Sequence, residues 1–88
     1  MTRDEFRNLH ESLCYGHDAE LLIENMRYFI EWNGDVLEVF KVVDSIGKKI
    51  FHLSGSNRRE TVDRLFAAKI NEKTLNDHFD IIQIEDIE

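Results

Sequence analysis

The sequence predicts an α+β fold: an N-terminal helix, a three- to four-stranded antiparallel β-meander, one or two C-terminal helices and a short C-terminal strand, in a single domain spanning residues 1–88. Three observations carry this reading. Ala19 to Val43 reads as two consecutive hairpins whose registers agree. Thr2-Arg3-Asp4-Glu5 is a capping box followed by an amphipathic stripe. After Ser54 the two-residue alternation stops and helical spacing takes over.

The first helix starts at the Thr2/Glu5 box, and Phe6, Leu9, Leu13 and Cys14 fall on one side of it. Gly16 is placed to end it, because a left-handed C-terminal cap carries no Cβ penalty at glycine. The strands lie near Ala19–Ile23, Met26–Trp32 and Asp35–Val43. With Glu24-Asn25 as the first turn, Ile23 faces Met26, Leu21 faces Tyr28 and Ala19 faces Ile30. With Asn33-Gly34 as the second, Trp32 faces Asp35, Ile30 faces Leu37 and Tyr28 faces Val39. One sheet face is then almost wholly apolar, and a slip of one residue would invert it.

Asp44-Ser45-Ile46-Gly47 is a turn cluster, and Lys48 to Ser54 alternates well enough for a fourth strand with Phe51 and Leu53 inward. Asn57 with Glu60 three positions on opens a second helix, from about Arg58 to Ala68, with Val62, Leu65, Phe66 and Lys69 inward. Asn71 caps a last short helix through Phe79. Ile81 to Ile84 then reads as a strand added to the sheet edge or packed beneath a helix.

Eighty-eight residues hold one core, near the lower limit for a domain without staples, which disfavours an enzyme with a deep cleft. One cysteine excludes an intramolecular disulfide framework and suits a reducing compartment. With no membrane-length or signal-like apolar run, a cytoplasmic location is expected. The net charge of −7 argues against direct nucleic-acid binding, which needs bases to neutralise phosphates. The charge is also segregated. Nine acids face two bases from Asp4 to Glu38, eight bases face four acids from Lys41 to Lys73, and five acids stand alone from Asp77 onward. Solubility explains such a surface, and so does complementarity to a basic protein.

The other sheet face carries Glu20, Phe29, Glu31, Glu38 and Phe40, with Arg27, Leu22 and Val42 nearby. Phenylalanines ringed by carboxylates fit a half-wet face or one covered by a helix; they also fit an apolar patch rimmed by charge, as at protein-binding sites. These five residues form the first choice of partner surface, and Asp77, Asp80, Glu85 and Asp86 the second. A homodimer through the same face is the other occupant.

His10, Cys14 and His17 would share a helix face if the helix reached His17, a conceivable zinc geometry, but Gly16 intervenes and no fourth ligand is local. Cys14, His17 and Asp18 can be written as nucleophile, base and orienter, without the strand-turn-helix elbow that such a site needs. His52 and His78 have no visible partner. Arg58, Arg59 and Arg64 lie early in the second helix, against its dipole, and need either Glu60 and Asp63 or a partner's acid beside them. No phosphate loop, Cys-x-x-Cys pair, calcium loop or paired-carboxylate motif occurs. The expectation is a binding protein without catalytic, metal or cofactor residues.

Gly16-His17-Asp18-Ala19-Glu20, Glu24-Asn25, Tyr28-Phe29-Ile30, Arg64 to Ile70 and Lys73-Thr74-Leu75 together resemble a loose group of small uncharacterised bacterial proteins. That resemblance implies a helix, a short meander, a terminal helical segment and an acidic, isoleucine-bearing tail like Phe79 to Ile87. The chain departs from the group at Asn25-Met26, where Asn-Gly is usual, and at Phe79-Asp80, where Trp-Asp is usual. In size and charge it is also similar to immunity proteins of bacterial toxin systems, including contact-dependent growth inhibition. This similarity implies a protein that binds and neutralises a cognate basic, nuclease-type toxin. A small regulatory or adaptor subunit of a cellular complex is the alternative.

Overall fold

A computed structural model describes all residues from Met1 to Glu88. The elements run α1 (Arg3–Cys14), β1 (Ala19–Ile23), β2 (Met26–Asn33), β3 (Val36–Val43), β4 (Ile46–Leu53), α2 (Arg58–Ala67), β5 (Lys69–Ile70), β6 (Lys73–Thr74), a 3-10 turn (Phe79–Ile81) and β7 (Ile82–Ile87). Five strands form one antiparallel sheet in the order β4-β3-β2-β1-β7, and β5 pairs only with β6. The architecture is α+β, with both helices on one face of the sheet.

Both ends of α1 are closed by their own sequence. Thr2 Oγ1 accepts from Glu5 N at 3.1 Å while Glu5 Oε1 accepts from Thr2 N at 3.0 Å, the reciprocal box that satisfies two orphan donors. At the other end Gly16 N donates to Leu13 O and His17 N to Ser12 O, each at 3.0 Å, with Gly16 at φ +96°. This is the Schellman arrangement. In α2, Asn57 Oδ1 accepts from Glu60 N at 2.8 Å.

The hairpins owe their tightness to left-handed turn residues. Glu24-Asn25 (φ 50° and 65°), Asp44-Ser45 (51° and 65°) and Asn71-Glu72 (54° and 67°) each place both central residues at positive φ, as a type I′ turn requires. The β2–β3 turn differs from the expectation. Asn33 pairs with Val36, so Gly34 (φ +62°) and Asp35 are the central residues, with glycine first as in a type II′ turn. The pairing moves by two residues, to Ile30–Val39 and Trp32–Leu37. Because side chains alternate with period two, every residue keeps its face.

Two further expectations are corrected. β4 starts at Ile46 rather than Lys48, since the turn takes only Asp44 and Ser45. No helix forms over residues 71–79: Asn71 and Glu72 make the β5–β6 turn, Lys69 lies exposed on β5 rather than inward, and the Thr74 hydroxyl accepts from Asp77 N at 3.1 Å to turn the chain again. Local side-chain bonding at Asn and Thr competes with helix here and prevails.

The core lies between helices and sheet. Leu9 and Leu13 of α1 and Val62, Leu65 and Phe66 of α2 are buried against Leu21, Tyr28, Ile30, Leu37 and Val39. Phe6 stacks between Phe66 and Phe79 at 5.1 and 5.3 Å. Trp32 Nε1 donates to Leu13 O at 2.9 Å and ties β2 to α1. β7 adds to the sheet edge beside β1. Ile82 and Ile84 pair at Ile23 and Leu21, then a bulge at Glu85 lets Ile87 meet Ala19. The Ile-x-Ile-x-x-Ile spacing needs that extra residue to keep all three isoleucines on the core side.

Candidate functional site: the open face of the sheet

The face turned away from the helices has no element over it, which resolves the covered-or-open alternative in favour of open. Its central row crosses all five strands as Asp86, Glu20, Phe29, Phe40 and Lys49. Phe29 and Phe40 are direct cross-strand partners, both half-buried. An Asn33-Gly34 turn would set Phe29 against Glu38, Arg27 against Phe40 and Glu31 against Val36; the two-residue shift replaces these pairs. Glu20–Phe29 does form.

The neighbouring row holds Glu31, Glu38 and His52 on adjacent strands. Glu38 is 7% exposed and pairs with Lys49, with His52 Nδ1 3.7 Å away. The Lys49 ammonium, bonded to Glu38, holds that carboxyl below the usual range against the opposing pull of burial. Arg27 reaches Glu20 at 3.2 Å. Both bases of this face are therefore spent on internal partners.

At its β7 side the face dips into a cleft of about 130 Å³ lined by Asp18, Glu20, Phe29, Glu31, Asp86 and Glu88. Asp18 also accepts from Trp32 N at 2.9 Å, and Glu88 N donates to Asp18 O at 2.8 Å, so the rim is anchored. Two like-charged pairs stand directly opposite one another, Glu20 with Asp86 and Glu31 with Glu38. Such pairs oppose strand association. A cation placed among them removes that repulsion.

The first-choice residues Glu20, Phe29, Glu31, Glu38 and Phe40 are thus brought together. The second-choice group divides: Asp86 joins the same face, exposed Glu85 is the bulge, and Asp77 and Asp80 sit in the connection before β7. Glu88 and Lys49 carry no signal in the one-dimensional pattern, and Asp18 reads there only as an orienter beside Cys14 and His17. Asp18 and Glu88 meet only because β7 lies beside β1, and Lys49 depends on the β4 register.

The helix-side constellations come apart. His17 follows the Gly16 cap, and its Nδ1 lies 2.7 Å from Glu88 O, away from His10 and Cys14. No three His, Cys, Asp or Glu side chains are grouped so as to hold a metal ion. Instead His10 bridges the helices, with Nε2 2.7 Å from Asp63 Oδ1, Nδ1 3.7 Å from Cys14 Sγ and its ring edge-on to Phe66. Burial pushes the Cys14 thiol up, and the C-terminal end of α1 disfavours a thiolate as well. The arrangement is a staple between α1 and α2, with the sulfur protonated at neutral pH.

Two of the three arginines of α2, Arg58 and Arg64, find internal roles, whereas Arg59 forms no ion pair and Asp63 is taken by His10. Arg64 bonds Glu60 at 2.8 Å and Ser54 O at 2.8 Å. Arg58 lies over Trp32 at 5.7 Å and approaches Tyr15 O at the C-terminus of α1, where a cation is favoured. No helix is long and apolar enough to cross a membrane. No family model matches the chain, and no curated protein or solved structure matches it either.

Proposed function

We propose that this protein is a non-enzymatic binding protein of the immunity type, which docks a basic protein, a nuclease-type toxin, on the open face of its sheet. The observation that carries the reading is the pair of like-charged couples, Glu20–Asp86 and Glu31–Glu38, beside Phe29 and Phe40 on a face that nothing covers. The carboxylates lack enough internal cations, since Arg27 and Lys49 each serve one of them. A partner's arginine or lysine in the Phe29 cleft would supply the missing charge. The phenylalanines provide the desolvated centre around which rim charges steer association. A second copy of the chain fits less well, because a face this acidic would meet its own carboxylates.

The test is capture with tagged protein from source cells at low and moderate salt, followed by kinetics with the captured protein. A basic, stoichiometric protein whose nuclease activity is blocked by the bait supports the reading. Phe29→Ala should weaken the complex by about 2 kcal/mol or more. Glu31→Lys together with Asp86→Lys should slow association about tenfold or more and flatten its salt dependence. Unchanged kinetics in both variants would remove this face from consideration.

A further inference from the structure

A second surface lies at the opposite edge of the sheet, on the helix side. The sheet extends past its helices there. Val43 and Ile46, direct partners beside the Asp44-Ser45 turn, are 44% and 69% exposed. The next pair on the same face is Lys41 with Lys48, two cations directly opposed. Neither forms an ion pair; the lysine pairs of the protein are Lys49 with Glu38 and Lys73 with Glu24. In a chain with 18 acids and 11 bases, an unneutralised lysine couple that opposes its own strand pairing marks a place for an external anion.

The backbone is available as well. β4 is the terminal strand, pairs only with β3, and no turn, loop or side-chain hydrogen bond reaches its outer edge. An open edge of eight residues, regular from Ile46 to Lys49 and bulged at Ile50, lies beside exposed aliphatics and paired cations and provides the three parts of strand-addition recognition: main-chain bonds, an apolar contact and a charge filter. We propose that the β4 edge takes an extended acidic–apolar segment of a partner polypeptide as an added strand. An aliphatic side chain would lie beside Ile46, and a carboxylate two residues away would lie beside Lys48, the two-residue step that keeps both on one face. An anionic bilayer shares the cation and aliphatic chemistry, but offers no donors or acceptors to the edge and is repelled by Asp44 at the tip.

The probe is the end-capped octapeptide Val-Thr-Glu-Thr-Val-Thr-Glu-Thr, titrated into the isotopically labelled full chain. The expected result is a saturable set of amide shifts over Ile46–Leu53 with slowed hydrogen exchange there. Replacing glutamate by lysine in the peptide, or N-methylating its alternate amides, abolishes the shifts. Lys48→Glu lowers the affinity about tenfold or more, one lost charge pair being replaced by a repulsion. That variant can pair internally with Lys41, so an unchanged or raised unfolding midpoint shows that the loss belongs to docking and not to the fold.

Several results would overturn the proposal: no saturable shifts, equal binding of the lysine or N-methylated peptide, shifts centred on Phe29 and Phe40, or binding of phosphatidylglycerol vesicles without the peptide. Protection of Ile46–Leu53 in the free protein that disappears on dilution would assign the edge to a second copy instead. The outer-face variants Phe29→Ala, Glu31→Lys and Asp86→Lys lie on β2 and β7 and leave the β4 edge unaltered.

Discussion

Glu38 stands opposite His52 in the strand ladder, yet its carboxylate is held by Lys49, which belongs two pairs further along beside Phe40. The bulge at Ile50 brings this about by breaking the β3–β4 register between Val39 and Phe40. The same pairing lays the Lys49 ammonium 5.9 Å above the Phe40 ring. One lysine therefore satisfies the most buried carboxylate of the sheet and covers part of its apolar row.

The pH dependence of stability should report that pair. Glu38 has its folded-state pKa lowered, chiefly by the hydrogen bond from Lys49. Its contribution is complete above the ordinary carboxylate value and is lost as pH falls through the lower folded value. Glu38→Gln should reduce the urea midpoint at pH 7, and the gap from the wild type should narrow as pH falls below the ordinary carboxylate range and close once Glu38 is protonated in the folded state. A gap that stays constant across that range would place the effect in packing, not in charge.

Turn chemistry offers a gain in stability. Ser45 holds φ +65°, a region unfavourable to residues with a Cβ, in an exposed turn. Ser45→Gly should stabilise the fold by about 0.5–1 kcal/mol, the relief of left-handed strain less the added entropy of the unfolded chain. Asn25→Gly should gain less, because asparagine already tolerates this region. Thermal unfolding checks both, with a rise of about 4–8 °C per kcal/mol for a domain of this size.

Gly16→Ala should have the opposite sign. Gly16 sits at φ +96°, and a Cβ there would lie 3.0 Å from Arg58 Nη1. The substitution strains the α1 cap and pushes aside the guanidinium that lies over Trp32. A loss of about 1–2 kcal/mol is expected, read from chemical denaturation. The double variant Gly16→Ala/Arg58→Ala should lose less than the sum of the two single changes, since the clash is then absent.

How far the fold is legible in the sequence follows from where its information is stored. The α1 box, the Gly16 cap, the Glu24-Asn25 turn and the Asn57 cap are local, so a few adjacent residues specify them and they read directly. The faces of β2 and β3 read correctly although the turn between them was one residue out, because a two-residue error in pairing preserves alternation. Asn71 is ambiguous in the sequence: an asparagine before Glu-Lys-Thr-Leu serves a cap or a left-handed turn equally, and the choice is made at a distance by the bond from its amide to Tyr28 OH. The site was half legible for the same reason. Phe29, Phe40 and their acids follow from hairpin alternation, whereas Asp86 beside Glu20, Asp63 beside His10 and Lys49 beside Glu38 depend on long-range docking or a bulge.

That Tyr28–Asn71 bond can be tested by itself. Tyr28 is fully buried apart from its hydroxyl contact, and burial raises its pKa while the bond from the Asn71 amide at 3.0 Å opposes that shift. Tyr28→Phe removes the acceptor and keeps the ring, and Asn71 is exposed enough to return its amide to water. The cost should be about 1 kcal/mol in denaturant unfolding, with faster amide exchange confined to residues 69–74. Fraying elsewhere would contradict a local role for the bond.

The strand order has a kinetic consequence. β1 leaves the ribosome among the first elements, but its second neighbour is β7, more than sixty residues later, whereas every other main-sheet pairing closes through a two-residue turn. The meander can therefore assemble early, with β7 seated last against the highest loop-closure cost of the molecule. Until then the chain carries β1 as an open edge, bearing Leu21 and Ile23. That interval is when a nascent copy is most exposed to pairing with the wrong strand.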